Sequence, residues 1–173
     1  MKDWLFKYRI PVLFLSAHLV YLIMNIIGPL VSEGMTLDIF DLRMFNGYDL
    51  NYVNQFNLDI SEQGRFVYLF VQIPLDFIYP LLTSLFFFSY FKQELKHKKI
   101  AYVGFLSMTF DYIENICVIF FLTASNLSEG FVMLGSISTI IKGIFYLIFY
   151  GGSLFFLGRC LVKKIIKKTS GNR

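Results

Sequence analysis

Residues 110–116 read FDYIENI and place two carboxylates and an amide in the middle of an otherwise apolar segment. If residues 100–124 form a helix, Asp111, Glu114 and Asn115 lie at positions i, i+3 and i+4 and share one face. A charged side chain at the centre of a bilayer costs about 2.5–3.5 kcal/mol on insertion scales. The pattern therefore predicts that this face turns toward the protein interior and is paired with other polar groups.

The composition is typical of a membrane protein. The 173 residues are 56% hydrophobic and 19% aromatic, which is more apolar than an ordinary soluble domain. Four apolar segments, at about 11–31, 65–91, 100–124 and 131–158, are long enough to cross a bilayer as helices. We therefore predict an all-α fold, in which residues 1–173 form a single polytopic membrane domain built as a four-helix transmembrane bundle.

The basic residues predict the orientation of this bundle. Three Lys or Arg precede the first span, four lie between the second and third, and six follow Gly158, so 13 of the 16 are on one side. Cytoplasmic loops carry the excess of Lys and Arg. The N- and C-termini are therefore predicted to be cytoplasmic. The membrane is predicted to be a bacterial inner (cell) membrane, with a eukaryotic endomembrane as the alternative.

Residues 32–64 form the largest polar loop and are predicted to lie outside. The loop holds six acids against one base, Arg43. Its apolar residues are too dense for a free linker, and Leu50, Val53 and Phe56 recur at helical spacing after Asp49, a suitable N-cap. We predict short helices in this first extracytoplasmic loop, lying on the mouth of the bundle.

Polar residues in the other spans predict a candidate site. With a rise of about 1.5 Å per residue, Asp76, Glu114 and Lys142 each lie roughly 15 Å from the outer end of their span. Three carboxylates facing one ammonium also predict that at least one acid carries a proton or that a cation binds. The candidate ligand-binding residues are Asp76, Asp111, Glu114, Asn115, Lys142, Gln72, His18 and Asn25.

Several interpretations of this cluster remain open. It is either a polar network that fixes helix packing or a site that binds a lipid-like or amphiphilic small molecule. Two further alternatives are an intramembrane lipid-modifying enzyme that uses one acid as general acid and another as base, and a subunit of a proton- or cation-coupled transporter or channel. The absence of a C-x-x-C motif argues against a membrane thiol oxidoreductase.

Catalytic residues are not assigned at this stage, and no cofactor is predicted. No metal is predicted either, because the carboxylates of the third span have no histidine at matching spacing. The predicted partners are membrane lipids, a hydrophobic small molecule and a second copy of the chain. Nucleic acid is not among them, because the basic residues lie at predicted membrane edges.

The layout resembles the sterol-isomerase and sigma-2-receptor type of small membrane protein. The residues that carry the resemblance are Ser16, His18, Met24 and Asn25 in the first span and Gln72-Ile73-Pro74 in the second. The resemblance implies that a lipid-like or cationic amphiphile enters from the bilayer and meets Asp76 or Glu114. Where the receptor branch tends to carry an acid in the first span, this chain has Asn25.

Overall fold

The structure is a computed structural model that describes residues 2–93 and 100–170, with side chains for 8–92, 101–148, 150, 151 and 162. Most of the described residues are helical and none forms a strand, which confirms the predicted all-α class. The α-helices are α1 (Lys2–Val31), α2 (Leu50–Asp59), α3 (Glu62–Val67), α4 (Ile73–Gln93), α5 (Val103–Thr123) and α6 (Glu129–Ser170). Residues Phe40–Arg43 and Ile100–Tyr102 form 3-10 helices, and Tyr68–Gln72 is a π-helix that joins α3 to α4.

Four helical stretches are long and apolar enough to cross a membrane, as predicted. They run from Tyr8 to Val31, from Glu62 to Lys92, from Val103 to Thr123 and from Glu129 to Ile148. Residues 94–99, the centre of the predicted basic turn, lie outside the described residues. The side of the membrane on which the termini lie stays a prediction.

The four long helices pack in the order α1, α4, α5, α6. Among the described residues, α4 packs against both α1 and α5, and α5 packs against α6, so α4 and α5 form the centre of the bundle, while residues 8–31 of α1 are mostly exposed. The face of α1 that meets α4 carries Ala17 and Met24, which pack with Tyr79. The interior that α4, α5 and α6 share is where the polar residues of the spans lie.

Side chains from the loop tie the ends of the helices together. Asn57 Nδ2 donates to Phe121 O at 2.8 Å, and Arg65 Nη1 donates to Leu122 O at 2.5 Å. Both carbonyls belong to the last turn of α5, where no intrahelical donor is available. Gly64 completes this end, because a Cβ there would lie 2.5 Å from Val31 O.

The segment between α1 and α2 is fixed by an aromatic core. Phe40 is fully buried, and its ring lies 4.4–6.4 Å, centroid to centroid, from five other rings. These belong to Tyr48, Tyr52, Phe56, Tyr68 and Phe121. As predicted, Asp49 caps α2, accepting from Tyr52 N at 2.8 Å.

The 3-10 helix Phe40–Arg43 lies deeper than the mouth of the bundle, where short helices were expected. Its neighbour Met44 packs on α6, and a Cβ on Gly143 would lie only 2.8 Å from Met44 Cβ. Gly47 adopts φ +63° and lies against Ser136, whose Oγ accepts from Tyr48 N at 2.8 Å. The dense apolar residues of this segment are therefore buried against α5 and α6.

Candidate functional site around Lys142

Lys142 is the centre of the polar interior, and its side chain is only 4% exposed. Its Nζ lies 2.6 Å from Asp41 Oδ1, forms an ion pair with Glu114 and lies 3.5 Å from Asp111 Oδ1. Asp111 and Glu114 come from one face of α5 and have side chains 1% exposed, whereas Asp41 is 22% exposed. The structure thus brings one ammonium and three carboxylates from three chain segments together.

Hydroxyl groups orient two of these carboxylates. Thr139 Oγ1 donates to Glu114 Oε1 at 2.7 Å and lies 3.2 Å from Tyr48 OH. The hydroxyl of Tyr146 donates to Asp111 Oδ2. Burial raises the pKa of Tyr48 above its ordinary value, and the negative charge of Glu114 raises it further. Tyr48 therefore stays a neutral hydroxyl beside the cluster at physiological pH.

The inward face of α4 and its π-helix adds a second set of polar groups. Gln72 and Asp76 are buried there one turn apart, and Tyr68 precedes them on the same face. Among the described residues, Tyr68 OH and Gln72 Oε1 have no hydrogen-bond partner. Buried polar atoms are seldom left unpaired in folded proteins, so this face has free hydrogen-bonding capacity.

Asn115 supplies a hydrogen bond to a backbone carbonyl of α4 that a proline leaves without its helical donor. Pro80 has no N–H to donate to the carbonyl of Asp76, four residues earlier. Asn115 Nδ2 donates to Asp76 O instead, at 3.1 Å. Tyr112 OH donates to the next carbonyl, that of Phe77, at 2.9 Å. The amide predicted for the site therefore holds α4 against α5.

This hydrogen bond predicts that Asn115 and Pro80 are energetically coupled. Asn115→Ala should lower the free energy of unfolding by about 1–3 kcal/mol, because Asp76 O is left buried and unpaired. In a Pro80→Ala background the loss should be smaller by about 1 kcal/mol, since the backbone N–H of the introduced alanine can donate to the same carbonyl. A double-mutant cycle on unfolding in detergent measures the difference. Equal losses in both backgrounds would contradict the assignment.

His18 and Asn25 are not brought into the cluster. Both are exposed and bonded within α1: His18 Nδ1 lies 2.8 Å from Phe14 O, and Asn25 Nδ2 donates to Tyr21 O at 2.7 Å. Ala17 and Met24 occupy the buried face of α1. His18 follows Ala17 and Asn25 follows Met24, so each is rotated by about 100° around the helix from the buried residue before it. His18 and Asn25 do share a face, as their spacing of seven indicates. That face meets aromatic rings and not the carboxylates around Lys142: the ring of Phe14 lies 5.4 Å from that of Phe86 on α4, and the ring of His18 lies 6.5 Å from that of Tyr150 on α6.

Asp41 is a carboxylate of the cluster that was not among the candidates predicted from the sequence. It is 101 positions from Lys142, and no periodicity connects a loop residue to a distant span. One signal was present: apolar residues crowd around Asp41 in a segment that reads as a loop. Such crowding favours burial of the segment and of any acid within it.

The cluster has more negative than positive groups. Asp41, Asp76, Asp111 and Glu114 face Lys142 alone, which leaves three excess negative charges if every group is ionised. Burying uncompensated charge is costly. Among the described residues, no set of three His, Cys, Asp or Glu side chains is arranged to hold a metal ion. The arrangement is suited to holding protons or a polar group that donates hydrogen bonds.

Comparison of the chain with protein-family models, with curated proteins and with solved structures gave no match. The resemblance in layout described above therefore stays a prediction, and the function has to be argued from the geometry of the cluster.

Proposed function

We propose that this chain is an integral membrane protein that binds a lipid-like or amphiphilic small molecule by its polar head. The head would occupy the mid-membrane cluster formed by Asp76, Asp111, Glu114, Lys142 and the polar face of α4. The main support is the pair of unpartnered buried atoms, Tyr68 OH and Gln72 Oε1, close to an excess of carboxylates.

The chemistry of these groups limits the head of the ligand. Carboxylates and an amide oxygen accept hydrogen bonds, and a phenol both accepts and donates. A head with hydroxyl or other N–H or O–H groups can pair with them, whereas an anionic head would meet like charge. The proposed ligand therefore carries a neutral or cationic head rich in donors.

The apolar tail of the proposed ligand would lie along the aromatic rings shared by α1, α4 and α6. The ring centroid of Tyr79 on α4 lies 5.7 Å from that of Tyr21 on α1 and 5.9 Å from that of Tyr146 on α6. Tyr146 in turn donates to Asp111. A ligand lying along this aromatic seam would have its tail near the exposed side of α1 and its head near the cluster.

The topology of the proposed protein follows from its charge distribution. Four membrane crossings, cytoplasmic termini and an outer loop of residues 32–64 agree with the basic residues outside the spans. Membrane lipids are then the natural source of the ligand in a bacterial inner membrane or, as the alternative, a eukaryotic endomembrane. A second copy of the chain remains a predicted partner.

Mass spectrometry of the purified protein tests the proposal. Wild type extracted in mild detergent should retain a small amphiphile at defined stoichiometry, seen in native spectra and identified in solvent extracts. Asp76→Asn and Glu114→Gln should each weaken the affinity for the amphiphile about tenfold, because losing one charge-assisted hydrogen bond removes about 1.4 kcal/mol or more of binding free energy. Occupancy at low amphiphile concentration should fall accordingly.

The control for this experiment is Glu33→Gln, which changes an exposed acid of the same chain to an amide. Its occupancy should equal that of wild type. If Asp76→Asn and Glu114→Gln retain full occupancy and only melt at lower temperature, the cluster is a packing network. Absence of any bound amphiphile from wild type would overturn the proposed function directly.

A further inference from the structure

The segment Phe40–Gly47 lies beside the middle of the long helices. Glu114 precedes the end of α5 by nine residues, or about 14 Å, and it pairs with Lys142, which also pairs with Asp41. Residue 143 of α6, against which Met44 packs, is 14 residues from the start of that helix, or about 21 Å. The two counts thus put this segment about 14–21 Å from the ends of these helices, at or somewhat beyond the middle of a hydrocarbon core of about 30 Å.

Contacts between α5 and α6 show which of their residues lie at the same depth. The position of a Cβ on Gly135 would be 3.0 Å from Cys117 Cβ, and Thr139 bonds Glu114 one turn further along. The contact of Met44 with Gly143 lies one turn beyond that. The segment therefore descends from the end of α1, turns at the level of Asp111 and returns to α2.

Two large apolar side chains are exposed at the turn of this segment. Leu42 is 61% exposed and Phe45 is 68% exposed. The backbone around them is paired: Leu42 N donates to Ile39 O at 3.0 Å, and Gly47 N donates to Arg43 O at 2.7 Å. Non-helical backbone occurs at membrane depth when it is paired and buried in protein.

Arg43 is also accommodated without leaving its charge in an apolar region. Its Nε donates to Gly47 O at 3.0 Å, and its guanidinium lies 4.7 Å from the ring centroid of Tyr52 on α2. The exposed face of α6 beside the segment is apolar, with Ile144 and Ile148 both more than half exposed. Asn46 is also exposed at this turn, so the apolar outer surface of the segment consists of Leu42 and Phe45, next to the apolar face of α6.

We propose that Phe40–Gly47 is a re-entrant segment whose Leu42 and Phe45 contact lipid acyl chains inside the membrane. Phe40 anchors the segment in the protein, while the opposite side of the turn forms part of the lipid-facing surface. Asp41, between the anchor and that surface, is the most exposed carboxylate paired with Lys142. The segment therefore brings the cluster to the edge of the hydrocarbon. This inference does not depend on the proposed ligand.

Quenching of a single tryptophan by brominated lipid tests the inference. The native Trp4 is replaced by Phe, and Phe45→Trp is introduced into the full chain, reconstituted in phosphatidylcholine vesicles with bromine at mid-chain. Its fluorescence should fall at least twofold relative to vesicles without bromine, and aqueous iodide should have little effect.

The matched control is Leu58→Trp in the same background. Leu58 is 86% exposed but lies on α2 beside Thr123, where α5 ends. It should be quenched by iodide and weakly by mid-chain bromine. Leu42→Trp serves as a second reporter if Phe45→Trp is not monodisperse. Quenching of both segment reporters by iodide but not by brominated lipid would overturn the inference and leave the proposed ligand site untouched.

Discussion

Lys142→Met should lower the free energy of unfolding by about 3–5 kcal/mol, because it leaves buried carboxylates without their positive partner. Met fills a similar volume, so the loss is electrostatic. Asp41, Asp111 and Glu114 would remain crowded around a position without positive charge. Since whole domains are stable by only about 5–15 kcal/mol, the variant should melt far below wild type and be recovered in low yield.

Removing carboxylates should rescue this variant. Lys142→Met combined with Glu114→Gln and Asp111→Asn should regain at least half of the lost thermal stability, because buried charge sets replaced by neutral groups of similar shape are often tolerated. Thermal unfolding in one detergent, with yield after size-exclusion chromatography, measures both effects. A triple variant that is less stable than Lys142→Met alone would show that the carboxylates stabilise the fold in some other way.

Phe40→Ala should cost about 3–5 kcal/mol, the range for removing a buried aromatic ring from a core. Its ring is fully buried among five others, so the substitution leaves a large cavity at the anchor of the re-entrant segment. We expect a large fall in melting temperature together with weaker protection of Lys142 from amine-reactive labels.

Phe45→Ala is the control for this prediction. It removes the same side chain from the same segment, five residues away, where the ring is 68% exposed. Its cost should be below about 1 kcal/mol, as for most exposed positions, and Lys142 should stay protected. Similar melting temperatures for the two variants would contradict the anchoring role of Phe40.

Much of the fold could be predicted from the sequence because the bilayer imposes a simple requirement. A spanning segment must be long, apolar and helical, and all four predicted segments are. The face of α5 was also readable, since spacings of three and four place Asp111, Glu114 and Asn115 together. The depth count from the helix rise also placed Lys142 at the level of these carboxylates.

The contributions of the loop and of α1 could not be read in this way. The position of Asp41 depends on aromatic packing around Phe40, which involves residues far apart in the sequence. Periodicity also identified the shared face of His18 and Asn25, but it could not show which neighbours that face meets. The segment around Met44 can pack closely on α6 because residue 143 is glycine. A single glycine in an apolar span does not indicate which segment packs against it.

The π-helix Tyr68–Gln72 changes the directions in which the two parts of the span Glu62–Lys92 face. A π turn contains one residue more than an α turn, and each residue of an α-helix corresponds to a rotation of about 100°. The extra residue therefore turns Gly64 and Arg65 by that angle relative to Asp76. With this phase shift Gly64 faces Val31 and Arg65 reaches Leu122, while Asp76 still faces the interior. One inserted residue thus lets a single helical span place Gly64 against α1, Arg65 against the end of α5 and Asp76 in the interior.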